Sequence, residues 1–96
     1  MNYTLVIKEE AADEISDAFT WYEDRKEGLG SEFVSSLEKH LARITKKPLL
    51  YPISSKEERV AVMKRFPYKI VYGIEEKSVI IYAVFHTSRN PKDLYK

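Results

Sequence analysis

Between residues 59 and 86 the chain carries three strand-like runs, 59–65, 68–75 and 78–86, joined by links of two to three residues. Links that short join antiparallel neighbours, because a parallel crossover takes a dozen residues or more. The C-terminal half is therefore expected to be an antiparallel meander. Alternation puts Tyr68, Ile70, Tyr72 and Ile74 on one face of the middle run. In the last run it sets Val79, Ile81, Ala83 and Phe85 against Ile80, Tyr82, Val84 and His86. Both faces of that run are apolar up to His86, as expected of a strand with neighbours on both sides.

The N-terminal half has a different period. Tyr3 to Lys8 alternates like a half-buried strand. From Glu9 the apolar residues Ala11, Ile15, Ala18, Phe19 and Tyr22 recur at helical spacing, with Glu9, Glu10, Asp13 and Glu14 near the positive end of the helix dipole. Gly28-Leu29-Gly30-Ser31 reads as a tight turn, with Ser31 as the cap of a second helix running to about Lys46 on the face Phe33, Leu37, Leu41 and Ile44. Pro48 stops that helix, and Pro48-Leu49-Leu50-Tyr51-Pro52 reads as an apolar loop packed down as a lid. Ser54 to Glu58 reads as a polar turn. The expected fold is α+β in the order β-α-α-β-β-β, a helical hairpin packed on a small, mostly antiparallel twisted sheet, in one domain over residues 1–96.

A chain of 96 residues has little volume for an enclosed cofactor pocket, so a functional site is expected on a surface or in a shallow groove, without a cofactor. It has no cysteine, which removes disulfides and thiolate metal sites, and no metal site is expected from its two histidines. No apolar run approaches the ~20 residues of a membrane span, and the first residues lack a basic, leader-like region; a cytoplasmic location is the default expectation. Net charge is +1, but residues 1–48 carry −3 and residues 49–96 carry +4. The basic half is where a polyanion or an acidic partner would sit.

P-loop, dinucleotide-glycine, HExxH and Gly-x-Ser-x-Gly patterns are all missing. His40, between Leu37 and Leu41, reads as a helix-flank residue. His86-Thr87-Ser88-Arg89-Asn90-Pro91 leaves the last strand with a titratable group and a cation at a rigid edge, where histidine can act as acid or base; strand capping and ion pairing are the structural alternative. Lys64-Arg65-Phe66-Pro67-Tyr68-Lys69 interleaves three cations with aromatics around a hairpin turn, a surface able to grip phosphate and stack a base, or else a corner whose rings belong to the core.

Taken in order, these pieces resemble the RelE/ParE toxin superfamily over nearly the whole chain, with the ParE-like branch nearest. The residues are Ala12-Asp13-Glu14-Ile15, Trp21-Tyr22-Glu23, Gly28-Leu29-Gly30 with Phe33, Pro48 with Tyr51-Pro52, Arg59, Phe66-Pro67-Tyr68 with Tyr72, and His86 with Arg89 and Pro91. The resemblance implies the toxin of a bacterial type II toxin–antitoxin system, neutralised by a cognate antitoxin and reaching operator DNA only through it. Two modes of action are implied for such a fold. One is inhibition of DNA gyrase by binding, which the motif set and modest charge favour. The other is ribosome-dependent mRNA cleavage, with His86 as acid or base and Arg59, Arg65 and Arg89 on the phosphate. An inactive interaction module is the third reading. Lys64, Arg65, Tyr68, Lys69, Arg89, Lys92 and Tyr95 are the expected contacts for target or antitoxin.

Overall fold

Helical and alternating patterns divide the chain as their periods require. The computed structural model describes residues 3–88. They form β1 (Thr4–Ile7), α1 (Glu9–Arg25), α2 (Leu29–Lys46), a 3-10 turn at Pro48–Leu50, β2 (Ile53–Ser55), β3 (Glu58–Val62), β4 (Tyr68–Glu75) and β5 (Ser78–His86). The sheet order is β1-β5-β4-β3-β2, with β1 parallel to β5 and every other pair antiparallel. The expected α+β architecture is present, with one additional strand.

That strand, β2, occupies part of the stretch read as a polar turn. Ile53 pairs with Arg59 and Ser55 with Glu58, so the turn shrinks to Lys56-Glu57. Both turn residues are left-handed, with φ of 48° and 67°, the hand that a two-residue hairpin needs. Asn-Gly at that place would have announced the hairpin; Lys-Glu does not.

The helices cover one face of the sheet. Ala11, Ala18 and Tyr22 of α1 and Phe33, Leu37, Leu41 and Ile44 of α2 are buried with Ala61, Ile70, Tyr72, Val79, Ile81 and Val84 of the sheet in one cluster. At one end of this layer the rings of Tyr22, Phe33, Phe66 and Tyr68 interlock, with centroids 4.9–5.5 Å apart in the Phe33–Tyr68, Tyr22–Phe66, Phe33–Phe66 and Tyr22–Phe33 pairs. Such pairs contribute roughly 0.5–1.5 kcal/mol each beyond area burial.

Strict alternation fails in β5. Its register against β4 shifts between Val71 and Tyr72: Val71 pairs with Ala83 but Tyr72 pairs with Ile81, leaving Tyr82 as an extra residue. One extra residue reverses the parity of everything after it. Val84 and His86 therefore share the helix-covered face with Val79 and Ile81, while Ala83 and Phe85 join Ile80 and Tyr82 on the other. This corrects the expected grouping.

The turn between the helices is also built differently. Gly28, at φ 88°, is the cap residue of α2, and Ser31 lies within the helix. The exposed amides of this helix start are instead satisfied by Glu23 of α1, whose carboxylate accepts from Gly28 N–H at 2.8 Å and Gly30 N–H at 2.9 Å. A carboxylate there also faces the positive end of the α2 dipole. Replacing Glu23 by Ala strands both donors and is expected to cost about 1–3 kcal/mol. A urea titration checks this: the midpoint falls while the slope stays unchanged.

Candidate functional site

Two of the residues expected to work together, Arg59 and His86, are held apart by the fold. Arg59, on β3, pairs with Tyr72, while His86, on β5, pairs with Tyr68 four residues away along β4. At about 3.4 Å per residue this places them roughly 14 Å apart along the strand, on opposite sides of it. Arg59 Nη1 donates to Tyr51 O at 2.6 Å, and the Tyr72 hydroxyl, buried in the layer, donates to Pro48 O. Together they pin the 48–52 loop to the sheet, so Arg59 has a structural occupation. Burial pushes the Tyr72 hydroxyl up to about 12, partly offset by the Arg59 guanidinium.

His86 stands at the end of the helix-covered face, edge-on to Tyr68 with centroids 5.2 Å apart. Its Nδ1 accepts from Ser88 N–H at 3.0 Å, which places the proton of the neutral ring on Nε2. Arg65 pairs with Glu32 of α2 across an exposed surface, with side-chain exposures of 60% and 49%. Such a pair contributes at most about 1 kcal/mol and can be exchanged for another anion. Lys64 is exposed. Tyr68, at 3% exposure, is a core residue, and so is Phe66 at 5%, so the turn offers no stacking platform. Arg89, Lys92 and Tyr95 lie outside the described residues.

The sheet face away from the helices is a second surface, hidden from sequence reasoning by the bulge. Cross-strand pairing assembles Val60, Val71 and Ala83 in one row and Val62, Lys69 and Phe85 in the next. Val62 is 56% exposed. Tyr82 lies across Gly73, where a Cβ would come within 2.9 Å of its ring. Burial raises the Tyr82 hydroxyl above its ordinary value, aided by the carboxylates of Glu75 and Glu58 and a hydrogen bond to Glu75. These two rows are apolar apart from Lys69, while the Tyr82 end of the face carries the carboxylates of Glu75 and Glu58. Among the described residues, no group of three or more His, Asp or Glu could hold a metal ion. None of the described helices is long and apolar enough to cross a membrane.

A helical hairpin on one face of this mixed sheet, with the other face open, defines the RelE/ParE toxin fold, and solved structures agree. A chain of the chromosomal ParDE system from P. aeruginosa superposes with a TM-score of 0.80 at 12% identity, covering 90% of this chain and 97% of that one. The isolated E. coli RelE toxin gives 0.67 at 21% identity, covering 97% and 93%. A chain of the RelBE2 toxin–antitoxin complex from Mycobacterium tuberculosis gives 0.65 at 16% identity, covering 90% and 92%. No curated protein matches the sequence. Residues 5–91 match the family model described as the ParE toxin of the type II toxin–antitoxin system, parDE. The chain belongs to that family.

The pinned loop gives a direct test of Arg59. Arg59→Ala is expected to lower stability by about 1–3 kcal/mol, because the partly buried Tyr51 carbonyl loses its donor. Thermal unfolding of the purified variant measures this, and an unchanged midpoint would return Arg59 to the list of free cations.

Proposed function

We propose that the chain arrests bacterial growth by binding and inhibiting DNA gyrase, and that a cognate antitoxin neutralises it in the cytoplasm. Stabilisation of the plasmid or locus encoding the pair would follow. One observation carries the preference for binding over cleavage: Arg59 and His86 do not converge. Arg59 is engaged beneath a loop, Arg65 is turned to Glu32, and His86 faces the helix layer beside Tyr68. General acid–base cleavage needs its groups within hydrogen-bond reach of one phosphate. An inhibitor that only binds needs a complementary surface, and the open sheet face with Lys69 is one.

Two of the similar solved structures are drawn from a ParDE system and a RelBE2 toxin–antitoxin complex, which supports an antitoxin as the natural partner. An acidic, amphipathic antitoxin segment that orders on binding suits the apolar rows around Lys69. Operator DNA would then be reached through the antitoxin. The mRNA-cleavage reading keeps one specific support, the Nε2 proton of His86 together with the exchangeable Arg65 pair, with Arg89 as a further candidate.

Induction of the chain alone in bacteria separates these readings. The expected outcome is gyrase-dependent DNA breaks or lost supercoiling with intact transcripts, unchanged by His86→Ala. Transcript cuts at the ribosome that disappear in His86→Ala or Arg89→Ala would establish the nuclease instead. Normal growth without either effect would leave the interaction module.

A further inference from the structure

His40 is 8% exposed and sits on α2 beneath the link between β3 and β4. Its Nε2 accepts from the backbone N–H of Lys64 at 3.4 Å. Its Nδ1 is buried and has no partner among the described residues. Since Nε2 accepts, the ring is neutral, with its proton on Nδ1. An orphaned buried donor in a native interior calls for an explanation beyond packing, because each such group carries a desolvation cost.

The charges acting on the ring are Arg43 from its own helix and Lys64 from the link, both positive. Burial first, and then these two cations, hold the imidazole below its ordinary value of 6.5. The folded chain therefore binds the proton less readily than the unfolded chain. Stability is present above the ordinary histidine value and is lost as pH falls through the folded one. The local consequence is specific. A protonated ring donates from both nitrogens, so Nε2–H would confront Lys64 N–H donor to donor, with no carboxylate among the described residues acting on the ring in compensation.

We propose that His40 is a pH-sensitive latch on the β3–β4 link: neutral, it holds the Lys64 amide and keeps the link against α2; protonated, it releases Lys64. The link is otherwise anchored at both ends, by Met63 in the core, whose N–H donates to Tyr68 O at 2.8 Å, and by Phe66 in the core and Pro67 O, which accepts from Thr87 N–H at 2.7 Å. Release is therefore confined to Lys64. Arg65 keeps its pair with Glu32 and its guanidinium lies 5.1 Å from the centre of the Phe66 ring, so acid loosens the Lys64 end of the link while the sheet stays intact.

Amide hydrogen exchange on the intact chain, with the His40 ring followed by NMR across pH 7.5 to 5, tests this latch over about two and a half units around the ordinary histidine value. On protonation of His40, the protection factor of the Lys64 amide is expected to fall about tenfold, the loss of one hydrogen bond, while that of Ile70 in β4 is unchanged. His40→Gln, whose side-chain oxygen can still accept from Lys64 N–H, is expected to keep that protection at every pH. Three results would overturn the latch: constant Lys64 protection while the ring charges, a ring that stays neutral until the chain unfolds, or the same fall in His40→Gln. The first two are read in the unmodified chain and need no variant to fold.

Discussion

Everything the surface presents depends on the helical hairpin packing against one face of the sheet. Tyr22 and Phe33 bring the two helices onto Phe66 and Tyr68 at one end. Phe66 and Tyr68 lie within or beside the β3–β4 link, so the rings that close the core also fix where Lys64, Arg65 and Lys69 emerge. At the other end Tyr72 and Arg59 tie the 48–52 loop to the same layer. Both anchors consume residues that looked functional in the sequence. Tyr68 is a wall of the core and Arg59 is a strut.

The bulge at Tyr82 is the second constraint, and it decides what the open face is made of. Without it, His86 would lie with Ile80 and Tyr82 on the uncovered side, next to Lys69. With it, Phe85 takes that place and His86 turns toward the helices. A single unpaired residue thus separates a sheet carrying an imidazole beside a lysine from one offering mostly hydrocarbon. The modest net charge of +1 is consistent with the second kind of surface.

Much of this was legible beforehand, for local reasons. The helical stripe Phe33, Leu37, Leu41 and Ile44 is entirely buried, and the ends of β4 and β5 coincide with the runs read from alternation. The features that were not legible depend on contacts distant in sequence. Glu23 caps a helix start from the preceding helix, Glu14 accepts from Val84 N–H at 2.7 Å across most of the chain, and His40 meets Lys64 only in the folded state. The Lys56-Glu57 hairpin has no glycine or asparagine to mark it, and the Tyr82 bulge is marked only from the facing strand, by Gly73. Part of the candidate site, Arg89 with Lys92 and Tyr95, lies outside the described residues.

A supercoiling assay with purified gyrase tests whether this ParE-family chain acts, as proposed, by binding through its open sheet face. Val71→Glu places a charge in the middle of that face without touching the core, and His86→Ala removes the one candidate acid–base group among the described residues that leaves the sheet. The account predicts inhibition by the unmodified chain and by His86→Ala alike, and at least about tenfold weaker inhibition by folded Val71→Glu, the equivalent of ~1.4 kcal/mol. Full inhibition by Val71→Glu, or none by any form alongside ribosome-dependent cleavage that requires His86, would contradict it.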